Sequence, residues 1–349
     1  VTQRILIVRL SAIGDVVMAS GLLPALRARF PGAQISWLTE PMAEPLLRHH
    51  TGLAEVIVWR RSQWQQLWRE RRWGELWRQV RAFRAELRAR RFDLVLDAQG
   101  LLKSGVLAGF TGAPRRIGLR SREGSRWLMH ECVEPGTSTG PVRMGQEYRW
   151  LAEWLGAPEG SFRQELALGA TAQAQARATR QAHGVAAGQA FAALAPFTTR
   201  PQKHWVEAGW AEVGAALLRQ GLTPVLLGGP ADGAAAQRIA AACPGMVNLA
   251  GRLALDETVA TVADARVLLG VDTGLTHMGA ALQRPTVAIF GSTVPYRDAG
   301  VPGFEVLYTP RACSPCRRHP TCGGRFDCMR DWQPADVLAA AQRQMEVLA

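Results

Sequence analysis

RILIVRLSAIGDVVMASGLLPALRARF, residues 4 to 30, decides the fold. Its first seven residues form a mostly apolar run suited to a buried strand, and from Val16 to Phe30 the apolar side chains recur at spacings of three and four, as on one face of a helix. A strand that feeds directly into a helix is the opening unit of a parallel α/β sheet. The alternation continues through QISWL (34–38), EVIVW (55–59), DLVLDA (93–98) and RRIGL (115–119), with helical pattern between most of them. Near residue 190 it restarts with FAALAP (191–196), TPVLLGG (223–229), MVNLAG (246–251), ARVLLGVD (265–272) and PTVAIFG (285–291). The pattern predicts two similar α/β halves with a boundary in the Gly- and Ala-rich stretch 156–188, followed by a terminal helix in PADVLAAAQRQMEVL (334–348).

At 349 residues the chain is too long for one ordinary domain, and 48% hydrophobic with 20% charged residues describes a globular protein. No run approaches the roughly 18 apolar residues needed to cross a bilayer, and the first residues read as a strand rather than a signal peptide. The expected location is therefore the cytoplasm. A formal net charge of +12 attracts phosphates, whether on nucleic acid, an anionic membrane or a phosphorylated substrate, and does not choose among them.

The polar clusters choose better, because each follows a strand. Asp15 follows the first, Asp97 to Lys103 the fourth, and Thr198 to Lys203 the first of the second half. Gly228 to Asp232, Asp272 to His277 and Gly291 to Thr293 follow later ones. Open α/β sheets bind ligands beyond the carboxyl ends of their strands, so a cleft between the halves is the expected site. VDTGLTH (271–277) sets an acid at a strand end and threonine with glycine at a helix N-terminus, an arrangement that binds phosphate and also suits plain helix capping. FTTRPQKHW (197–205) holds Lys203, one of only two lysines among 41 basic residues. An ammonium is a compact point charge where guanidinium is a wide fork, so lysine here points to a single oxygen or phosphate. With the Gly-rich turn GGPAD (228–232), these features favour a diphosphate ligand. The first turn, SAIGD, lacks G-x-G-x-x-G and the chain has no Walker A sequence, which argues against NAD and against ATP hydrolysis.

SAIGDV, DAQGLLKS (97–104), TTRPQKHW (198–205) and VDTGLTH together resemble the ADP-heptose:lipopolysaccharide heptosyltransferases of glycosyltransferase family 9. The basic, Trp-rich WRRSQWQQLWRERRWGELW (59–77) followed by DAQGLLKS is most similar to the heptosyltransferase I branch. The resemblance runs from residue 4 to about 295. It implies a GT-B fold of two Rossmann-like domains: an acceptor domain over 1–165, a nucleotide-sugar domain over 166–333, and a terminal helix over 334–349 able to cross back to the first. Position by position, it makes Asp15 the catalytic base and places Thr198, Thr199 and Lys203 on the donor, the lysine on its diphosphate. Asp272 matches a residue that contacts the heptose, Thr273, Gly274 and Leu275 offer backbone to phosphate, and His277 lies nearby. Asp232 is matched to the ribose hydroxyls, where the family member compared has glutamate.

The implied reaction is an inverting transfer of heptose from ADP-heptose to the Kdo-containing inner core on lipid A, at the inner face of the cytoplasmic membrane. No cofactor is implied for catalysis, and no Asp-x-Asp occurs to hold a metal-bound diphosphate. A second-heptose transferase, or another nucleotide-sugar transferase of this fold, remains the alternative. A nucleic-acid partner would explain the charge but not the strand-end motifs in both halves, and is not expected. Asp15 itself has a structural alternative, as cap of a helix beginning at Val16.

On the acceptor side, Arg60, Arg61, Arg69, Arg71 and Arg72 are interleaved with Trp59, Trp64, Trp68, Trp73 and Trp77. The spacings 64, 68 and 73, 77 suit one helix face, either packed on the sheet or presented to a phosphorylated lipid surface. Lys103, Arg116 and Arg120 would add contacts to acceptor anions. Finally, CSPCRRHPTCGGRFDC (313–328) gathers Cys313, Cys316, Cys322 and Cys328. Disulfides are disfavoured in the cytosol, so this spacing raises a structural zinc or iron site. Cys132 and Cys243 read as ordinary buried residues.

Overall fold

The sequence pattern at residues 4–10 becomes β1 (Arg4–Val8) of a computed structural model that describes residues 3–136 and 142–348. Two units are present, one made of residues up to 136 with 145–167, the other of residues 142–144 with 168 onward. In the first, β1 is joined by β2 (Gln34–Thr39), β3 (Glu55–Val58), β4 (Leu94–Asp97), β5 (Arg115–Leu119) and β6 (Glu131–Val133). Its helices are α1 (Ile13–Ala19), α2 (Leu22–Arg29), α3 (Arg61–Arg69), α4 (Trp73–Ala89), α5 (Leu102–Phe110) and α6 (Gln146–Trp154). The second unit has β7 (Phe191–Ala195), β8 (Thr223–Leu226), β9 (Val247–Asn248), β10 (Val267–Val271), β11 (Thr286–Phe290) and β12 (Phe304–Tyr308). With them run α7 (Ala170–Ala182), α8 (Glu207–Arg219), α9 (Gly233–Ala241), α10 (Leu255–Asp264), α11 (Gly274–Ala281), α12 (Asp327–Arg330) and α13 (Pro334–Val347).

Among the described residues both sheets are six-stranded and parallel, in the orders β3-β2-β1-β4-β5-β6 and β12-β11-β10-β7-β8-β9. These are the same doubly wound order, and each reverses direction at its central pair, β1 beside β4 and β7 beside β10. The central strands are buried on both faces, which is why they read as unbroken apolar runs.

Two features depart from the sequence reading. The helix expected over 16–30 begins at Ile13 and breaks after Ala19 into α1 and α2. At the break Ser20 Oγ donates to the Val17 carbonyl (2.7 Å), and a Cβ on Gly21 would come within 2.6 Å of the Phe162 ring. The edge strands β6 and β12 went unforeseen, since edges are half-exposed and lose the apolar signature. The terminal helix forms as α13, which buries Val337, Ala340 and Ala341 in the second unit's own core.

No helix among the described residues is long and apolar enough to cross a membrane.

Candidate functional site

The strand order decides which motifs become neighbours. The turns after β7 and β10 flank the reversal of the second sheet, so TTRPQK and VDTG meet although 69 residues separate Lys203 from Asp272. Lys203 Nζ lies 2.5 Å from Asp272 Oδ2, and Thr293 Oγ1, from the turn after β11, donates to the same oxygen at 2.5 Å. His277 Nε2 stands 3.8 Å from the other carboxylate oxygen. Asp272 is buried, and burial by itself would push its carboxyl up. The charges of His277 and Lys203 and the hydrogen bonds from Lys203 and Thr293 outweigh that and hold it below the usual carboxylate range. The site therefore holds a buried, ionised acid against a half-buried lysine.

Thr273 occupies the N-cap of α11, where its side chain makes no capping hydrogen bond and its N–H donates to Thr276 Oγ1 at 3.3 Å. The N–H groups of Gly274 and Leu275 begin the helix and have no intrahelical acceptor, which leaves them suited to an anion. Thr198 and Thr199 sit on the turn after β7, Thr198 half-buried and bridged to His204, whose Nε2 lies 2.7 Å from the Thr198 carbonyl. This turn is anchored by Trp205, buried edge-on against Trp210 with its Nε1 donating to the Trp332 carbonyl (3.1 Å). Truncating such an aromatic costs about 3–5 kcal/mol. Asp232 closes the GGPAD turn by accepting the Gly229 N–H at 2.8 Å. One of its oxygens thus already has a structural task.

In the first unit the turns after β1 and β4 flank the reversal in the same way. Asp15 is the third residue of α1, not its cap, and its Oδ2 accepts the Ala12 N–H (3.2 Å) while pairing with Arg9 at 2.6 Å. Both contacts use Oδ2, leaving Oδ1 for other work. Arg9 is buried and also donates to the Ala98 carbonyl (3.0 Å). It was not singled out from sequence, although an arginine inside a buried strand run is itself a signal. The DAQG turn is fixed by Asp97, which accepts from the Gln99 and Gly100 N–H groups and the Ser104 hydroxyl. Burial pushes the Asp97 carboxyl up against those donors. Gly100 has φ of +67°, and a Cβ there would lie 2.1 Å from the Leu119 carbonyl oxygen.

The expected acceptor residues are dispersed among partners. Lys103 pairs with Glu40 (3.0 Å) and Arg120 with Glu147 (3.0 Å). Arg60 is the exposed N-cap of α3, and Arg61 lines a hollow of about 730 Å³ with Trp59, Trp64, Trp68 and Arg69. The single Trp-bearing helix face does not form: the chain turns at Arg71, in the left-handed region (φ 58°), so that α3 and α4 make a hairpin. Trp59, Trp64 and Phe83 stack edge-on toward the core, whereas Trp68 and Trp77 are 62% and 64% exposed. The helix therefore serves packing on one side and presents bare indoles on the other.

Cys313, Cys316, Cys322 and Cys328 do gather, around one cavity of about 260 Å³. Among the described residues, however, no three His, Cys, Asp or Glu side chains are grouped as metal ligands would be. Of the four, Cys313 is exposed, Cys316 and Cys322 are half-buried and Cys328 is buried. Cys243 is buried as expected, but Cys132 is exposed because it lies on the unforeseen edge strand β6.

Residues 80–322 match the model of glycosyltransferase family 9 (heptosyltransferase). The chain is 32% identical to lipopolysaccharide heptosyltransferase 1 of Pseudomonas aeruginosa, over 92% of this chain and 87% of that one. It is 30% identical to the Salmonella typhimurium enzyme of the same name, over 90% and 95%. Among solved structures, the E. coli heptosyltransferase WaaC with ADP-2-deoxy-2-fluoro heptose superposes with a TM-score of 0.73 at 25% identity, covering 98% of this chain and 99% of that one. With its two Rossmann-like units of GT-B type and this match over most of its length, the chain belongs to glycosyltransferase family 9, the heptosyltransferases.

Proposed function

We propose that the protein moves heptose from ADP-heptose to the Kdo-containing inner core of lipopolysaccharide, as the first-heptose enzyme, by a metal-independent inverting displacement. The observation that carries the donor half is the Lys203–Asp272–Thr293 constellation, centred on the buried Asp272 beside the N-terminus of α11. Its relatives named lipopolysaccharide heptosyltransferase 1 support the acceptor half.

In this reading the acceptor hydroxyl attacks the anomeric carbon as the bond to ADP breaks. Asp15 Oδ1 takes the proton. Lys203 has three N–H donors, so it can stay on Asp272 and still reach a diphosphate oxygen. Together with the Gly274 and Leu275 N–H groups it supplies the positive charge that the departing ADP requires. Asp272 Oδ1 is the oxygen assigned to a heptose hydroxyl, Thr198 and Thr199 line the donor, and Asp232 meets the ribose with the oxygen its turn leaves over. Arg60, Arg61, Lys103 and Arg120 are assigned to acceptor anions, the last two by exchanging their present carboxylate partners.

Calorimetry with ADP, UDP and GDP, followed by transfer assays on Kdo-lipid A and on an already heptosylated core, tests the whole. The expected result is binding of ADP alone and transfer to the Kdo-terminated acceptor. Transfer only to the heptosylated core would make this a second-heptose enzyme, and binding of nucleic acid without ADP would sink the transferase reading.

The same proposal makes the protein peripheral on the membrane, with Trp68, Trp73 and Trp77 entering the interface beside Arg69 and Arg71. Trp68→Ser/Trp77→Ser should lose sedimentation with anionic vesicles while its melting temperature holds, because both indoles are more than half exposed. Undiminished sedimentation would remove this face from the membrane contact.

A further inference from the structure

The cysteine-bearing segment lies against both loops that grip Asp272. Gln202, next to Lys203, is buried and donates through Nε2 to the Arg317 carbonyl at 3.1 Å. On the other loop, the backbone carbonyl of Ser292, next to Thr293, accepts the Arg317 N–H at 2.6 Å, and Ser314 Oγ donates to the Gly291 carbonyl. Contact is closest at Gly291 itself, where a Cβ would lie 2.6 Å from Met329 Sδ and 2.7 Å from Cys328 Sγ. Cys328 and Met329 in turn belong to the second unit's core. Gln202 and Ser292 line the same cavity as the four cysteines.

We infer that residues 311–329 act as a clamp that positions the donor-binding loops, with Gln202 and Ser314 as its positioning residues. The argument is geometric: the segment engages each loop at the residue beside the one that holds Asp272. Lys203 and Thr293 converge on a single carboxylate oxygen, so a shift of either loop by a fraction of an ångström weakens the constellation. The clamp engages the loops that hold Asp272, so its effect should fall on the donor. A hydrogen bond of this kind is worth about three- to tenfold in an equilibrium.

The inference rests on the donor reading above, and the experiment separates the two. In a Cys132→Ser background, which removes the exposed thiol outside the segment, Gln202→Leu and Ser314→Ala are compared with the parent. ADP affinity is measured by calorimetry, KM for ADP-heptose and for acceptor by initial rates, and thiol reactivity by the rate of labelling with Ellman's reagent. Each variant should weaken ADP and raise the donor KM by about three- to tenfold, leave the acceptor KM unchanged, and label faster. Coupling is reciprocal, so ADP should slow labelling of the parent. Unchanged ADP affinity and unchanged labelling in both variants would overturn the clamp, as would equal rises in the two KM values. If the parent binds no ADP, the donor reading fails, and the labelling rates alone still decide the clamp: faster in the variants supports it, unchanged refutes it.

Discussion

Turnover of Asp15→Asn should fall by about 10²–10⁴-fold, the contribution typical of a positioned general base. The structure sharpens this test, because Asp15 has a structural task besides the chemical one. Its Oδ2 holds the Ala12 N–H and pairs with buried Arg9. Asparagine keeps an oxygen for the Ala12 N–H but gives up the charge opposite Arg9. With 37% of the Asp15 side chain exposed, solvent screens that pair and its loss should cost only about 1 kcal/mol. Arg9 retains the Ala98 carbonyl in any case. The expected outcome is a small drop in melting temperature, ADP affinity equal to wild type, and a collapse in turnover. Near-normal turnover would mean that another group takes the proton. A large drop in melting temperature with proportionate loss of activity would make Asp15 a structural partner of Arg9.

Lys203→Met should damage both fold and function, and the two can be pulled apart. Methionine keeps the apolar stem and removes the charge, stranding the Asp272 carboxylate in a buried site. Removing one partner of a buried pair typically costs about 3–5 kcal/mol. The Thr293 hydroxyl and His277 remain on the carboxylate, which places the expected loss at the lower end. Donor binding should weaken separately by about 1.5–3 kcal/mol, the value of a charge-assisted hydrogen bond. The double variant Lys203→Met/Asp272→Asn distinguishes these effects, since it no longer buries an uncompensated charge. Its stability should recover most of what the single variant lost, while ADP stays weakly bound. Wild-type ADP affinity in Lys203→Met would take the lysine off the diphosphate. Failure of the double variant to regain stability would show that the pair is not what Asp272 depends on.

Much of this architecture was readable in one dimension. Buried central strands must be apolar on both faces, so β1, β7, β10 and β11 announced themselves as runs, and helices between them followed from the 3.6-residue period. The motifs after those strands were legible for the same local reason, and so was the oddity of lysine at 203 in an arginine-rich chain. What fails in one dimension is anything decided by a partner. The break of the Trp-rich helix at Arg71, the edge strands β6 and β12, and the exposure of Cys132 depend on which faces neighbours cover.

The site shows the division most clearly. Sequence assigned Lys203 and Asp272 to one donor site and left GST (291–293) as an unassigned cluster, without showing which atoms meet. Only the strand order, β7 beside β10 and β10 beside β11, brings Lys203 Nζ and Thr293 Oγ1 to one oxygen of Asp272. The same is true of Asp15, whose partner Arg9 was hidden inside an apolar run, and of the cysteines, which line one cavity with Gln202 and Ser292 of the donor loops. Periodicity and composition are local properties that each segment carries with it. Ion pairs, clamps and shared oxygens lie between segments, and the folded chain alone determines which segments meet.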